Sequence, residues 1–135
     1  MTRPTLPNED FPTIERMTRR AEFLAAAKGA TCARGAVVVQ ALDRTAQRNQ
    51  IRVGFTATRK IGGAVARNRA KRRLREAARL AVPLFGKAGF DYVFIARGGT
   101  ATRPWSRLLD DVKSALISLA ANQVPAAPAP AAAVR

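Results

Sequence analysis

The feature that most constrains this chain is a basic segment at residues 59–79. It holds nine Lys and Arg residues and a single acid, Glu76. On a helix that turns about 100° per residue, six apolar residues of this segment and the two positions after it gather on one arc of roughly 120°. They are Ala66, Ala70, Leu74, Ala77, Ala78 and Ala81. Because alanine allows close approach, the pattern predicts a helix from about Ala64 to Ala81 that packs on a sheet.

The remaining surface of this predicted helix is basic. Arg67, Lys71 and Arg75 form a ridge at spacings of four residues. Other polar residues lie beside the ridge or further round: Asn68, Arg69, Arg72, Arg73 and Arg79. A solvated face is the usual explanation of a charge run, but solvated faces normally mix signs, and here only Glu76 could form a pair. The pattern therefore favours binding of several phosphates.

The charge of the whole chain points the same way. It has 24 Lys and Arg against 9 Asp and Glu, a net charge of +15 and a pI near 11.8. Such a surplus repels itself unless a polyanion neutralises it. Nucleic acid is the first candidate, because most of the bases are arginine, and an anionic membrane surface is the second. A generally arginine-rich composition would explain the count but not the clustering.

Several kinds of site are excluded by composition. The chain has no His and one cysteine, Cys32, so it lacks a histidine base, an imidazole metal ligand, an internal disulfide and a cysteine-rich zinc site. Its carboxylates are scattered, and the adjacent pair Asp110 and Asp111 would point apart on a helix, so a two-metal site is poorly supported. Without a long apolar run or an apolar signal core, we expect no transmembrane helix and a cytoplasmic location.

The chain divides into three parts. Residues 1–12 are predicted to be flexible, residues 13–122 to form one domain, and residues 123–135 to be a disordered Ala/Pro-rich tail. Within the domain we expect a helix capped by Thr13 and ended by Gly29, and a strand at residues 37–42. A half-buried antiparallel strand follows at residues 51–58, whose free face is Arg52, Gly54, Thr56 and Thr58.

After the basic helix, Pro83 and residues 86–89 lead to a strand at residues 92–96. A last helix runs from about Pro104 to Ala121. Its predicted buried stripe is Trp105, Leu108, Leu109, Val112, Leu116 and Leu119. The order predicts a single-domain α+β fold in which helices pack on a central mixed sheet.

The basic segment also carries a family resemblance. Residues 67–76, Arg-Asn-Arg-Ala-Lys-Arg-Arg-Leu-Arg-Glu, preceded by residues 59–65, Arg-Lys-Ile-Gly-Gly-Ala-Val, resemble the signature of the bacterial ribonuclease P protein subunit. The flanks fit as well: residues 20–23, 53–55 and 91–97. The resemblance covers about residues 14–120. It implies an α-β-β-β-α-β-α order with a short strand near residues 31–34, and a left-handed crossover that contains the signature helix.

The resemblance also implies a function. Such proteins join a catalytic RNA that uses Mg²⁺, bound mainly by the RNA, to cleave the 5′ leader from precursor tRNA. Its partners would be that RNA and precursor tRNA, without a membrane or an obligate protein partner. Arg67, Asn68, Arg69, Lys71, Arg72 and Arg75 match signature positions for RNA contact, and Arg73 and Arg79 of the same basic surface are added to them.

The family further holds the single-stranded leader in a cleft between the first helix and the sheet. Phe23 matches an aromatic residue of that cleft, and Arg59, Lys60 and Arg97 match basic positions at its edge; we add Arg19. This chain has Ala27 and Gln40 where the family often has aromatics, so its cleft should depend more on charge than on stacking. Phe23 could equally be a core residue.

Two other functions remain open. A structural RNA-binding protein of the ribosomal type needs only the basic helix, and explains neither the polar sheet face nor Phe23. Binding of DNA through the helix is a poorer fit, because Asn68 is the only typical base-reading amide on it.

Overall fold

The computed structural model describes residues 13–44 and 50–122. Its five strands and three α-helices follow one another as β1 (Thr13–Arg16), α1 (Arg20–Ala26), β2 (Ala30–Arg34), β3 (Val37–Asp43), β4 (Gln50–Thr56), α2 (Ala64–Phe85), β5 (Phe90–Ala96) and α3 (Trp105–Asn122). A 3-10 turn at Arg59–Ile61 precedes α2. The segments predicted to be flexible, residues 1–12 and 123–135, lie outside the described residues.

The strands form one mixed sheet in the order β1-β4-β5-β3-β2. β3 is antiparallel to β2 and β5, whereas β4 is parallel to both β1 and β5. The predicted antiparallel pairing of the strand at residues 51–58 was therefore wrong. The reason is the long connection through α2, which returns the chain to the end of the sheet where β4 began. The left-handed sense of this crossover stays a prediction.

One face of the sheet is covered by α2 and α3. The alanine arc of α2 is buried as predicted, except that Ala66 is only partly covered. On the sheet below, Ile51, Val53, Tyr92 and Phe94 are buried, and the rings of Phe55 and Phe94 stack with their centroids 5.5 Å apart. Because the buried side chains of α2 are mostly small, the backbone of α2 lies close to the sheet. The large side chains of the strands fill the space between them.

The opposite face is partly covered by α1. Met17, Ala26 and Val93 form a second buried cluster, against which Phe23, Leu42 and Ile95 pack. The sequence analysis predicted that the face of β4 with Arg52 and Gly54 is free. In the structure, the short helix α1 covers this face, and Gly54 is buried beneath α1. The molecule has three layers, with two helices on one side of the sheet and one on the other.

The start of the domain differs from the prediction of a helix beginning at Thr13. Residues 13–16 form β1, which pairs in parallel with β4, and α1 begins only at Arg20. The spacing of Ile14 and Met17 suits a helix. Residues 13–16 nevertheless form a strand, because their pairing with the edge of β4 outweighs this local preference. One strand thus precedes the order that the resemblance implied, while the expected strand near residues 31–34 is present as β2.

The ends of the helices also differ from expectation. α1 ends at Ala26 rather than at Gly29, where a Cβ atom would lie 2.1 Å from the carbonyl oxygen of Ala41. α2 continues through Pro83 to Phe85 because burial of Val82 stabilises its last turn, although proline removes one helical hydrogen bond. Trp105 is 38% exposed and so does not belong to the buried stripe of α3.

Candidate nucleic-acid interface

The outer surface of α2 carries the residues that the sequence assigned to RNA. Asn68, Arg69, Arg72 and Arg79 are exposed. The ridge of Arg67, Lys71 and Arg75 is half-buried. Twelve residues separate Arg67 from Arg79, which is about 18 Å along a helix axis. This surface is long enough to follow several consecutive phosphates.

Few of these charges are neutralised within the protein. Arg79 forms an exposed ion pair with Glu76, and this hydrogen bond lowers the pKa of the Glu76 carboxyl. Arg67 donates a 3.1 Å hydrogen bond to the carbonyl of Gly62. Within the described part of the chain, the other bases of the exposed surface form no ion pair: Arg69, Lys71, Arg72 and Arg75. Most of the charge on this surface therefore has no acidic partner among the described residues.

Arg73 behaves differently from its neighbours. Its guanidinium donates to the backbone carbonyls of Thr100 and Arg103, and its Cζ atom lies 5.9 Å from the centre of the Trp105 ring. The structure thus brings Arg73 to the loop between β5 and α3 rather than to the exposed surface. The helical pattern placed both Arg69 and Arg73 further round from the ridge; Arg69 is exposed, and Arg73 reaches the loop.

A cavity of about 340 Å³ lies beside α1, where the sequence analysis predicted a cleft. It is lined by Thr18, Arg20, Phe23 and Thr56. Phe23 is half-buried and also packs against the cluster of Met17, Ala26 and Val93. Its ring lies directly on Gly54, where a Cβ atom would come within 2.6 Å of Cε2. One side of the ring therefore belongs to the core and another is open to the cavity.

An ion network that the sequence analysis missed fixes α1 over the sheet. Arg52 of β4 donates to both carboxylate oxygens of Asp91 at 2.9 and 2.7 Å, and to Glu22 of α1 at 2.7 Å. Asp91 is 1% exposed. Arg52 and Asp91 are directly opposed in the β4–β5 register. This contact requires that β4 and β5 be neighbours in the observed register, which the sequence analysis did not predict.

Glu22 links this network to the helix start. One of its oxygens accepts hydrogen bonds from the backbone N–H groups of Thr18 and Arg19, at 3.3 and 3.2 Å. Burial opposes ionisation, but these hydrogen bonds and the charge of Arg52 outweigh it and lower the pKa of the Glu22 carboxyl. The bidentate hydrogen bond with Asp91 raises the pKa of the Arg52 guanidinium. The position of Phe23 over the sheet thus depends on charged groups.

The remaining predicted residues lie at two places. Arg19 directly precedes α1 and is exposed near the cavity. Arg59 and Lys60 follow β4, and Arg97 follows β5, so all three lie at the carboxyl edge of these parallel strands. Of the predicted cleft residues, only Phe23 lines the cavity; Arg19, Arg59, Lys60 and Arg97 do not. Arg97 lines a separate groove with residues of the loop after β5.

Comparison with known proteins agrees with this arrangement. A sequence model of the family described as Ribonuclease P matches residues 11–120. The chain belongs to the ribonuclease P protein family. It is 66% identical over 109 residues to the ribonuclease P protein component of Caulobacter vibrioides, which covers 81% of this chain and 73% of the relative. It is 52% identical over 108 residues to that of Ruegeria pomeroyi, which covers 78% of this chain and 86% of the relative.

Solved structures of such proteins share the fold. The RNase P protein from Thermotoga maritima is 25% identical, with a TM-score of 0.64 over 76% of this chain and 96% of that structure. The RNase P protein of Staphylococcus aureus, at 24% identity, has a TM-score of 0.65 over 78% of this chain and 94% of that structure. Family and fold make this chain an RNA-binding protein subunit of the endoribonuclease that matures the 5′ end of tRNA. It therefore associates with the RNA of ribonuclease P.

Proposed function

We propose that the exposed surface of α2 binds the catalytic RNA of ribonuclease P, and that the cavity at Phe23 holds the single-stranded 5′ leader of precursor tRNA. The observation that carries the first part is the row of bases on α2, because most of them have no partner within the described residues. Phosphate contacts of this kind position an RNA without reading its sequence.

The leader site rests on the geometry around α1. A half-buried ring with one open side gives a nucleobase a surface for stacking, which is worth about 1–3 kcal/mol per base. Arg20 lines the same cavity, and Arg19 is exposed beside it. The cavity thus combines one apolar surface with positive charge, the combination that binds single strands with little sequence preference.

In this proposal the chemistry belongs to the RNA, and Mg²⁺ is bound mainly by that partner. In residues 13–44 and 50–122, no group of three or more His, Cys, Asp or Glu side chains is placed to hold a metal ion. No helix described there could cross a membrane. We place the protein in the cytoplasm and assign it no obligate protein partner.

Reconstitution tests the proposed function directly. The full chain is added to the ribonuclease P RNA and a precursor tRNA at low Mg²⁺, and release of the leader is followed. We expect faster cleavage at the mature 5′ end, because the protein neutralises phosphates that otherwise need Mg²⁺. No gain in cleavage, despite binding of the RNA, would rule out the role in leader removal.

A structural RNA-binding role is the alternative. It predicts that the chain co-purifies with ribosomes rather than with one small stable RNA, and that removing the leader leaves affinity for tRNA unchanged. Tighter binding to duplex DNA than to structured RNA would instead support a DNA-binding role, which a single amide at Asn68 makes a weak candidate.

A further inference from the structure

A groove next to α2 is lined by three glycines and two arginines. It lies between the turn that joins β2 to β3 and the loop after β5, and has a volume of about 500 Å³. Its lining includes Gly35, Arg97, Gly98, Gly99, Thr102 and Arg103. We call it the loop groove. Neither the ridge on α2 nor the cavity at Phe23 shares its lining residues.

The loop that forms this groove is held by hydrogen bonds to its backbone. Arg73 of α2 donates to the carbonyl of Thr100 at 2.7 Å and also to that of Arg103. The Thr100 hydroxyl is fully buried; it donates to the carbonyl of Ala36 at 2.6 Å and accepts from the N–H of Arg97 at 2.7 Å. The backbone on both sides of the loop is therefore fixed to the sheet and to α2.

Asp111 of α3 fixes the other wall. Its carboxylate accepts from the N–H of Ala36 at 3.0 Å and from Arg103 Nε at 2.6 Å. It lies so close to Gly35 that a Cβ atom there would be 2.3 Å away, and Gly35 has a φ of +50°. Arg103 is thus largely neutralised. Arg97 is exposed, with only a long 3.5 Å contact to the carbonyl of Gly35.

We propose that the loop groove binds a phosphodiester segment of RNA through Arg97, and that Arg73 is a positioning residue for this groove rather than a phosphate contact. The proposal rests on the proposed RNA-binding function. A Cβ atom at Gly98 would meet nothing within 4 Å, so an RNA backbone can approach the main chain closely. The positive charge of Arg97 supplies the attraction.

The groove also continues the surface of α2. A neighbouring cavity is lined by Gly63, Ala66, Arg69 and Ala101, and shares Thr102 with the loop groove. An RNA strand that contacts the amino-terminal end of α2 can therefore pass directly into the groove. Because Arg73 reaches the loop from the buried side of the same helix, α2 both contacts the RNA and shapes the adjacent site.

A charge-preserving substitution separates positioning from phosphate contact. Lysine cannot replace the planar fork with which Arg73 reaches two carbonyls, although it keeps the charge. We expect Arg73→Lys to weaken binding to the ribonuclease P RNA about fivefold, which corresponds to about 1 kcal/mol. Exchange of the Arg103 amide hydrogen, which donates to the carbonyl of Gly99 at 2.9 Å, should become faster.

Arg34→Lys is the matched control. The Arg34 guanidinium also donates hydrogen bonds within the protein, to Ser114 and Ser118, and the side chain lines a separate cavity on α3 rather than the loop groove. Loss of RNA affinity in Arg73→Lys and not in Arg34→Lys, at similar thermal stability, supports the proposal. If Arg73→Lys binds as tightly as the wild type, which itself binds the RNA, the inference fails and the proposed function stands. A wild-type chain that does not bind would overturn the function itself.

Two further variants keep the test decisive if Arg73→Lys is unstable. Gly98→Glu places a negative charge in open space in the groove and should weaken binding without changing the fold. In a double-mutant cycle, Arg97→Ala should weaken binding alone but add little to Arg73→Lys, since both remove the same contact. Full additivity of the two substitutions, or unchanged binding by Gly98→Glu, would contradict the assignment.

Discussion

Arg52 and Asp91 face each other across the parallel strands β4 and β5, and their side chains share two hydrogen bonds of 2.9 and 2.7 Å. The carboxylate is almost fully buried, and Arg52 also contacts Glu22 on α1. This pair joins the sheet to the short helix that carries Phe23. Stability of the domain and the shape of the proposed leader site therefore depend on the same charged groups.

Substitution of Arg52 tests whether the stability of the domain depends on this pair. Arg52→Met leaves Asp91 buried without its main partner, and loss of one member of a buried pair typically costs about 3 kcal/mol or more in free energy of unfolding. The measurement is urea unfolding at pH 7. Glu76→Gln is the control, because it removes a carboxyl from an exposed pair on α2 and should leave the unfolding midpoint unchanged. Equal midpoints for Arg52→Met and wild type would contradict the structural role.

Acidic pH should loosen α1. The pKa of Glu22 is lower in the folded chain than its ordinary value of 4.5, so its contribution to stability is complete above that pH and disappears as the pH falls through the folded value. Glu22→Gln should therefore destabilise at pH 7 but flatten the loss of stability below pH 4.5. Thermal unfolding between pH 3 and pH 7 measures both effects. Asp110→Asn, an exposed change on α3, should keep the wild-type profile; a wild-type profile in Glu22→Gln would refute the assignment.

These contacts show what the sequence could and could not predict. The alanine arc and the basic ridge of α2 follow from helical periodicity alone, and the structure confirms the arc. Pairing of Arg52 with Asp91 depends on β4 and β5 being neighbours and on their register, which alternation along one strand does not encode. β1 differs from the predicted helix because the spacing of three between Ile14 and Met17 suits a helix, whereas pairing of residues 13–16 with β4 is not encoded in the local pattern. The position of Arg73 depends on a loop that only the tertiary fold brings near.

The ridge on α2 should determine the salt dependence of RNA binding. Each phosphate contact contributes about 0.7–0.9 to the slope of log affinity against log salt. Replacing Arg67, Lys71 and Arg75 with Ala should weaken binding to the ribonuclease P RNA and reduce that slope by about 2.1–2.7 units. Arg34→Ala with Lys113→Ala, on the side of β2 and α3, removes charge elsewhere and should change the slope little. An unchanged slope in the ridge variant would mean that the ridge does not touch phosphate.

Phe23 should affect leader recognition more than recognition of mature tRNA. Phe23→Ala removes a stacking surface worth about 1–3 kcal/mol per base, which predicts at least a fivefold loss of affinity for a precursor with a long leader. Affinity for mature tRNA, measured in the assembled ribonucleoprotein, should change little. Leu24→Ala, a 53% exposed neighbour on α1, is the control. Equal losses for both RNAs, together with a large drop in thermal stability, would make Phe23 a core residue only.

Gly54 tests the position of the Phe23 ring without changing its chemistry. In Gly54→Ala the added methyl would lie 2.6 Å from the ring, closer than carbon atoms pack, so the ring must move away from the sheet. We expect the affinity for long-leader precursor to fall as it does in Phe23→Ala. In the double variant the second substitution should add little, because the stacking surface is already displaced. Independent, additive losses would show that Gly54 acts through the stability of β4 and not through Phe23.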